Sequence, residues 1–421
     1  AKDTPLTTQA PITRWDATRV YLIINALRAV AHTLYVTVFI LFQIQVLQLD
    51  ALQLVLVGTA LEVGAFFFEI PTGIIADVYS RRLSVILGSF TTGIAFLIVV
   101  AVPNFGGMLL GNVIWGIGFT FFSGALQAWL VDEIGIERAS QSFLRGSQVS
   151  NVAHLVAIPL AIVVGSQWLA LPILIAGVVA LALGVLLIAV MPETGFQPLP
   201  REDRQSWRAF GRTLREGWGV VRGSQALTAL MLVGVIWGAS SEGFDRLSAK
   251  YLYDTFGIPP LPVPYPEVVW FGARDMVLAV IGIGAAELIR RRIEGAPQAR
   301  TVWLLVGFTG GIVGGLYLYT FTPSFWWAML VFMLIRTLRD IAIPVFDVWA
   351  NRNIPSNVRA TVLSMYGQSD AVGQLAGGPA VGVAGNASIR LAILISATIL
   401  TPALPLLIQA SQHPEPESNA V

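Results

Sequence analysis

Twelve apolar stretches, each long enough to cross a membrane, run through the 421-residue chain. They fall at 18–43, 51–76, 83–102, 106–131, 142–165, 168–191, 226–250, 266–290, 301–320, 325–350, 357–385 and 391–410. A helix rising 1.5 Å per residue needs about twenty such residues to cover a ~30 Å hydrocarbon core. Lipid offers backbone N–H and C=O groups no partner, so only helices and closed barrels span it. A barrel would read as ten-residue alternating segments, and these runs do not alternate. The expected fold class is an all-α membrane protein with twelve transmembrane helices. Charged residues make up 12% of the chain, half of the ~25% usual in soluble domains. The first fourteen residues are polar, so no cleavable signal is expected and the first apolar run should stay in the bilayer.

Arginine placement sets the orientation. The even-numbered connections hold Arg81 and Arg82, Arg138 and Arg145, a group from Arg201 to Arg222, Arg290 to Arg292 with Arg300, and Arg352 with Arg359. The odd connections hold almost none, Arg390 being the clearest exception. By the positive-inside rule the even connections, and with them both termini, are expected to be cytoplasmic, in the cell (inner) membrane.

Several function classes drop out. There is no cysteine, so no disulfide, thiolate chemistry or Cys-ligated metal is available. The three histidines and the two lysines, Lys2 and Lys250, supply neither a His-rich metal site nor a phosphate-binding G-x-x-x-x-G-K-[ST] loop. The net charge of +1 suggests no nucleic-acid partner. The chain is expected not to be an enzyme and to need no cofactor or metal. Its expected partners are a small-molecule substrate, protons and the bilayer, with the chain acting as a monomer.

Spans 3, 6, 9 and 12 carry no charged residue, and neither does span 4. The other spans hold ionisable groups well inside. A charge facing lipid costs at least ~2.5–3.5 kcal/mol, so these groups should face a cavity or one another. Every third helix is therefore expected at the periphery. The chain also repeats: Asp77 with Arg81 and Arg82 after span 2 is matched by Glu287 with Arg291 and Arg292 after span 8. This organisation predicts two pseudo-symmetric six-helix bundles, 1–191 and 225–421, joined by a linker at 192–224. In the linker, Trp207, Phe210, Leu214, Trp218 and Val221 share one helical face and several arginines another, as in a helix lying on the inner leaflet.

Gly73-x-x-x-Asp77-x-x-x-Arg81-Arg82 resembles the signature loop between helices 2 and 3 of the major facilitator superfamily. "FEIPTG" before it, "MPETGF" after span 6 and "RATVLSM" opening span 11 resemble bacterial drug-efflux-type members. This sequence departs from the pattern at Val78 and Ser80, and in span 4, where Asn112 stands in place of the arginine typical of proton-driven drug antiporters and Trp115 in place of a glutamine. The resemblance implies a latch: Asp77 facing the N-terminal end of helix 11, near Ser356 to Ala360, and Arg81 reaching Asp132. Gly73, Asp77, Arg81, Arg82 and Asp132 form this expected gating motif.

Rise per residue puts Arg28 about 15 Å from the cytoplasmic end, His32 and Glu62 about 21 Å, and Glu69 about 10 Å. Arg28 and His32 share a face, as do Glu62 and Glu69, so Arg28 is open to pairing with either acid. Glu62 is then either a proton carrier or half of a static bridge to Arg28. Glu242 with Arg246, and Arg336 with Asp340, have in-helix pair spacing. Asp370 has no basic neighbour in sequence, and Arg336 is a candidate partner. Glu62, Asp370, Arg28, His32, Glu242, Arg336 and Asp340 are the proton-coupling candidates, while His154 reads as a packed, hydrogen-bonded histidine. Tyr35, Trp115, Phe121, Phe122 and Trp237 are candidates for an apolar cavity. Asn386-Ala-Ser matches the N-x-[ST] pattern.

The function expected from all this is secondary active transport by alternating access: proton-coupled efflux of lipophilic or amphiphilic small molecules. The alternatives left open are proton-coupled uptake of a polar solute and flipping of a lipid or lipid precursor.

Overall fold

The computed structural model describes residues 15–198, 215, 218–219, 221–293, 297–354 and 359–412. All regular structure among them is helical. The helices are α1 (Ala17–Leu41, widening to a π-turn over Phe42–Val46), α2 (Ala51–Ile74, with a π-turn over Ile75–Tyr79), α3 (Arg81–Ala101) and α4 (Phe105–Phe122, continued as Ala125–Ile134). They continue as α5 (Ile136–Gly165), α6 (Ala170–Val190), α7 (Gln225–Phe256), α8 (Pro266–Ile293), α9 (Gln298–Thr320) and α10 (Phe325–Asn353). The last two are α11 (Arg359–Ala387) and α12 (Ile389–Leu400, continued as Ala403–Gln412). Among the described residues, ten of these segments are long and apolar enough to cross a membrane. α10, which carries Arg336, Arg339, Asp340 and Asp347, and the Gly- and Ser-rich α11 fall outside that set. The expected surface helix of the linker lies largely outside the described residues.

Caps, not the ends of apolar runs, set the helix boundaries. Asp50 and Gln53 form a reciprocal capping box on α2, at 2.8 and 3.1 Å. Ser80, Asn104 and Ser388 cap α3, α4 and α12 by accepting from backbone N–H groups. Helices therefore outrun the hydrophobic stretches: α2 reaches Tyr79, α5 starts at Ile136 and α7 ends at Phe256. α4 is broken where Ser123 leaves the helix and Gly124 takes φ +71°, a conformation that a side chain at that position would strain.

Small residues let the helices approach. A Cβ on Gly64 would meet the Val113 carbonyl oxygen at 2.3 Å, and one on Gly116 the Leu61 oxygen at the same distance. In the second half, Gly238 faces the Asp370 carbonyl at 2.0 Å and Gly373 the Val235 carbonyl at 2.2 Å. Close backbone contact of this kind replaces the hydrophobic driving force that lipid does not supply. α3 and α6, uncharged beyond Arg81 and Arg82 at the start of α3, pack on each other and on neighbours in α1–α5, and α9 and α12, each with one arginine in its first turn, do likewise within α7–α12.

The two halves meet tightly at the end remote from the Asp77 loop. There the Leu52 N–H donates to Asn386 Oδ1 at 2.9 Å, and the Tyr265 N–H to the Ser166 oxygen at 3.1 Å. A Cβ on Gly382 would touch Leu52 at 3.0 Å, and one on Gly165 would touch Val38 and Val268. Asn386, a possible glycosylation acceptor by pattern, thus joins α11 to α2. Nearer the loop end, Gly73 on α2 and Gly367 on α11 have open space beside them.

Candidate functional site

At the loop end, the π-turn carrying Asp77 delivers the chain into the Ser80 cap of α3. Arg81 donates to Asp132 at the end of α4, while its other nitrogen lies 3.9 Å from Asp77. Arg82 donates to the Ile188 carbonyl at 2.6 Å. The segment after α6 closes this network. Glu193 accepts from the Ser80 hydroxyl at 2.7 and 2.9 Å and from the Arg82 N–H at 2.9 Å. Glu133 takes the Thr194 N–H, the Thr194 hydroxyl and the Gly195 N–H at 2.6–2.8 Å, and Trp129 donates to the Pro192 carbonyl at 2.7 Å. Glu193 and Glu133 were not singled out from sequence. The signal was there, in the "PETG" run placed just after α6, but nothing in the linear chain pairs it with the α2–α3 loop. Residues 355–358, toward which Asp77 was expected to face, lie outside the described residues.

The first half holds a cavity of about 340 Å³ between α1, α3, α4, α5 and α6. Arg28, His32 and Trp115 line it, with Phe96, Phe119 and Phe122 among its walls. The Arg28 guanidinium sits over the Phe122 ring, 3.7 Å from its centre. The His32 ring lies 6.0 Å from that of Trp115. Among the described residues no Arg28–Glu62 ion pair is formed: Glu62 lies within electrostatic reach of Glu242, Arg246 and Asp370 of the other half, while Arg28 lines the cavity of its own bundle. Two of the four first-half residues expected to line a cavity are not in its lining. Tyr35 is fully buried, stacked 3.9 Å from Phe96, because α1 packs that face against α3 and α4. Phe121 is turned into the core, and its carbonyl accepts the Ser84 hydroxyl at 2.8 Å. His154 accepts or donates at Nδ1 to the Thr33 hydroxyl, 2.8 Å away.

The second half holds a cavity of about 240 Å³ at the equivalent place, between α7, α9, α10, α11 and α12. Trp237, Phe346, Tyr366, Asp347 and Asp370 line it. Asp370 accepts from Gln374 at 2.7 Å rather than pairing with Arg336. Arg336 is instead 3.7 Å from Asp340 and 3.9 Å from Asp245, since it lies on the face of α10 that meets α7. Asp245 holds Arg339 in a two-pronged bridge, at 2.6 and 3.0 Å. That pair joins α7 to α10 and was missed because its partners are 94 positions apart.

Glu242, buried, lies 3.4 Å from Arg246. Arg246 leans across the seam onto Gly58 of α2. One turn along α2, Glu62 feels the charges of Glu242, Arg246 and Asp370. The mid-depth site is thus a cluster contributed by both halves: one acid from α2, an acid and a cation from α7, and an acid from α11. Among the described residues no group of His, Asp and Glu side chains forms a metal-binding cluster.

The sequence profile of the Major Facilitator Superfamily matches residues 21–378. A relative from Bacillus subtilis (strain 168), the "Uncharacterized MFS-type transporter YxaM", is 20% identical over 384 residues, covering 91% of this chain and 92% of the relative. Among solved structures, the nucleoside transporter NupG superposes with a TM-score of 0.74 at 13% identity, covering 95% of this chain and all of that one. A bacterial homologue of the human lysosomal transporter Spinster, inward-facing and unoccupied, gives a TM-score of 0.74 at 14% identity over 96% of this chain and 98% of its own. At such identities the likeness carries the fold alone, and the substrates named for those proteins are theirs.

Proposed function

The chain belongs to the Major Facilitator Superfamily, and as a transporter of that family we propose that it exports lipophilic or amphiphilic small molecules by proton-coupled alternating access. The observation that carries the coupling is the position of Glu62. It sits on α2, in one half, and feels the Glu242–Arg246 pair and Asp370 of the other half. Rocking of the halves changes the distance between an acid and a cation, which changes how readily the acid holds a proton. Glu62 is therefore the proton carrier in this reading, with Asp370 and Glu242 as its electrostatic partners. Arg28, His32, Arg336 and Asp340 stand outside the proton path. The aromatic walls of the first cavity favour an apolar substrate body over a sugar or phosphate ester.

In this reading the tight far-end seam, with open space beside Gly73 and Gly367 at the loop end, corresponds to a state open toward the cytoplasm that the Asp77 loop latches closed. Purified protein in vesicles with an imposed pH gradient tests this reading. Substrate should accumulate against its gradient, and Glu62→Gln should abolish accumulation while leaving downhill exchange intact. Accumulation that survives Glu62→Gln would remove Glu62 from the coupling. Accumulation in the direction opposite to proton entry defines export. Accumulation in the same direction would make the protein an uptake symporter instead.

A further inference from the structure

We propose that the cavity of the first half is a binding site for an organic monoanion with an apolar body, the anionic group held by Arg28. The inference rests on the transport reading above and names a substrate class for it.

Arg28 is a cation without a carboxylate counter-ion. Among the described residues no carboxylate lies within 4 Å of it, and no protein group accepts a hydrogen bond from it. Its guanidinium rests on the face of Phe122, 3.7 Å away, with the Tyr21 phenol and the His32 ring within electrostatic reach. A ring beneath the guanidinium plane stabilises the charge but leaves the in-plane N–H donors unused. An unpaired charge at this depth is costly to keep, and the cost is recovered when a ligand brings the opposite charge.

The surroundings select for an anion. Neither the His32 ring nor the Trp115 indole N–H has a hydrogen-bond partner among the described residues, and no acid lines the cavity. The two serines in the lining have spent their hydroxyl protons on backbone carbonyls, Ser89 on Val85 and Ser150 on Asn25. Asn25 donates to the Tyr21 carbonyl, which leaves its amide oxygen and the Thr92 hydroxyl as the other polar groups of the lining. The lining therefore offers one permanent cation, two ring N–H groups and few hydroxyl or amide groups, not the dense set that a sugar needs. One guanidinium balances one negative charge, so a dianion would be left in excess. The rest of the surface is aromatic and aliphatic, and about 340 Å³ lies within the ~300–1,000 Å³ range of small-molecule sites.

The repeat supplies an internal contrast. The equivalent cavity of the second half is lined by Asp347 and Asp370 and would repel an anion. Two cavities in the same place of the two bundles thus carry opposite charge, and the anion has one place to go. A free organic acid fits better than an anionic diacyl lipid, whose two chains exceed this volume.

Equilibrium binding to the full chain in phosphatidylcholine nanodiscs tests the proposal. The probes are 8-anilinonaphthalene-1-sulfonate and its uncharged counterpart N-phenyl-1-naphthylamine, read by energy transfer from protein tryptophan after subtraction of empty nanodiscs. The sulfonate should bind more tightly than the neutral probe, and 1-naphthoate should displace it better than 1-naphthylmethanol does. Arg28→Gln should weaken sulfonate binding about tenfold or more, as loss of a charge-assisted contact does. The neutral probe should stay within about twofold, which also reports that the variant is folded. Equal weakening of both probes, an unchanged sulfonate affinity in Arg28→Gln, or a wild-type preference for the neutral probes would overturn the proposal. Displacement of the sulfonate by phosphatidylglycerol in the discs would reassign the site to a lipid headgroup. Transport without preference for anions would sink this proposal and leave proton-coupled export standing. Intact anion binding without pH-driven accumulation would do the reverse.

Discussion

Arg246 of α7 lies so close to Gly58 of α2 that a Cβ on Gly58 would come 2.3 Å from its Nε. The same side chain pairs with Glu242, 3.4 Å away on its own helix. Gly58 therefore provides the space through which the second half's cation reaches the first half, one turn from Glu62.

Gly58→Ala should fold, because the atom it displaces is the tip of a flexible side chain. The displaced guanidinium should leave Glu242 and alter the field at Glu62. We expect a melting temperature within a few degrees of wild type and a transport rate reduced about tenfold. A native rate would show that the position of Arg246 beside α2 is incidental.

Asp245→Asn removes the acid that accepts both prongs of the partly exposed Arg339 bridge between α7 and α10. Loss of a two-pronged, charge-assisted contact of this kind costs about 1.5–3 kcal/mol. Asp340→Asn loses an exposed 3.7 Å contact to Arg336 and a longer-range attraction to Arg339, and should cost ~1 kcal/mol or less. Thermal unfolding in detergent should rank the two variants in that order. Equal melting temperatures would contradict the assignment of Asp245 as the structural centre of α7–α10 packing.

Glu193→Gln keeps the shape of the side chain but removes the charge that accepts from Ser80 and Arg82. A hydrogen bond to a charged group contributes about 1.5–3 kcal/mol. The effect should be local: faster hydrogen exchange through the α2–α3 loop and the first turn of α3, with the rest of the chain protected as before. If exchange accelerates across both halves alike, the network is a general stabiliser and not a clamp on the loop.

Rocking of the halves is measurable with label pairs, because the chain has no cysteine of its own. One pair at Val46 and Tyr253 reports the far end, and one at Ser80 and Arg291 reports the loop end. Between states set by pH or substrate, one distance should lengthen while the other shortens. Two distances that move together, or not at all, would exclude the cycle.

Most of the fold was legible because lipid imposes a crude and strong rule: long apolar runs become helices. The loop chemistry was legible for the same reason, since glycine, acid and paired arginines sit together in sequence. Partnerships were less legible. Four-residue spacing found Glu242–Arg246 and Arg336–Asp340, which lie on one helix face. It gave no hint that Arg28 would turn toward Phe122, or that Asp245 would find Arg339. Both depend on how far each helix is rotated about its axis, and that rotation is set by close approaches such as Gly64 on Val113. The gap between a face and a contact also explains Tyr35 and Phe121, aromatic residues on cavity-bearing helices that nonetheless point into packing.

Among the described residues the far-end seam is built from single hydrogen bonds, Leu52 to Asn386, Tyr265 to Ser166 and Gln45 to Glu267, and from small residues in van der Waals contact. The two-pronged and multiply bonded contacts, Asp245 with Arg339 and Glu193 with Ser80 and Arg82, stay inside one half. A single hydrogen bond contributes about 0.5–1.5 kcal/mol net, or about 1.5–3 kcal/mol where one partner is charged, so such a seam parts at modest cost and reforms without a trap. The chain thus carries a line of weakness along the surface where it must separate, and its barrier to turnover is set by what was left out of that surface as much as by what was put in.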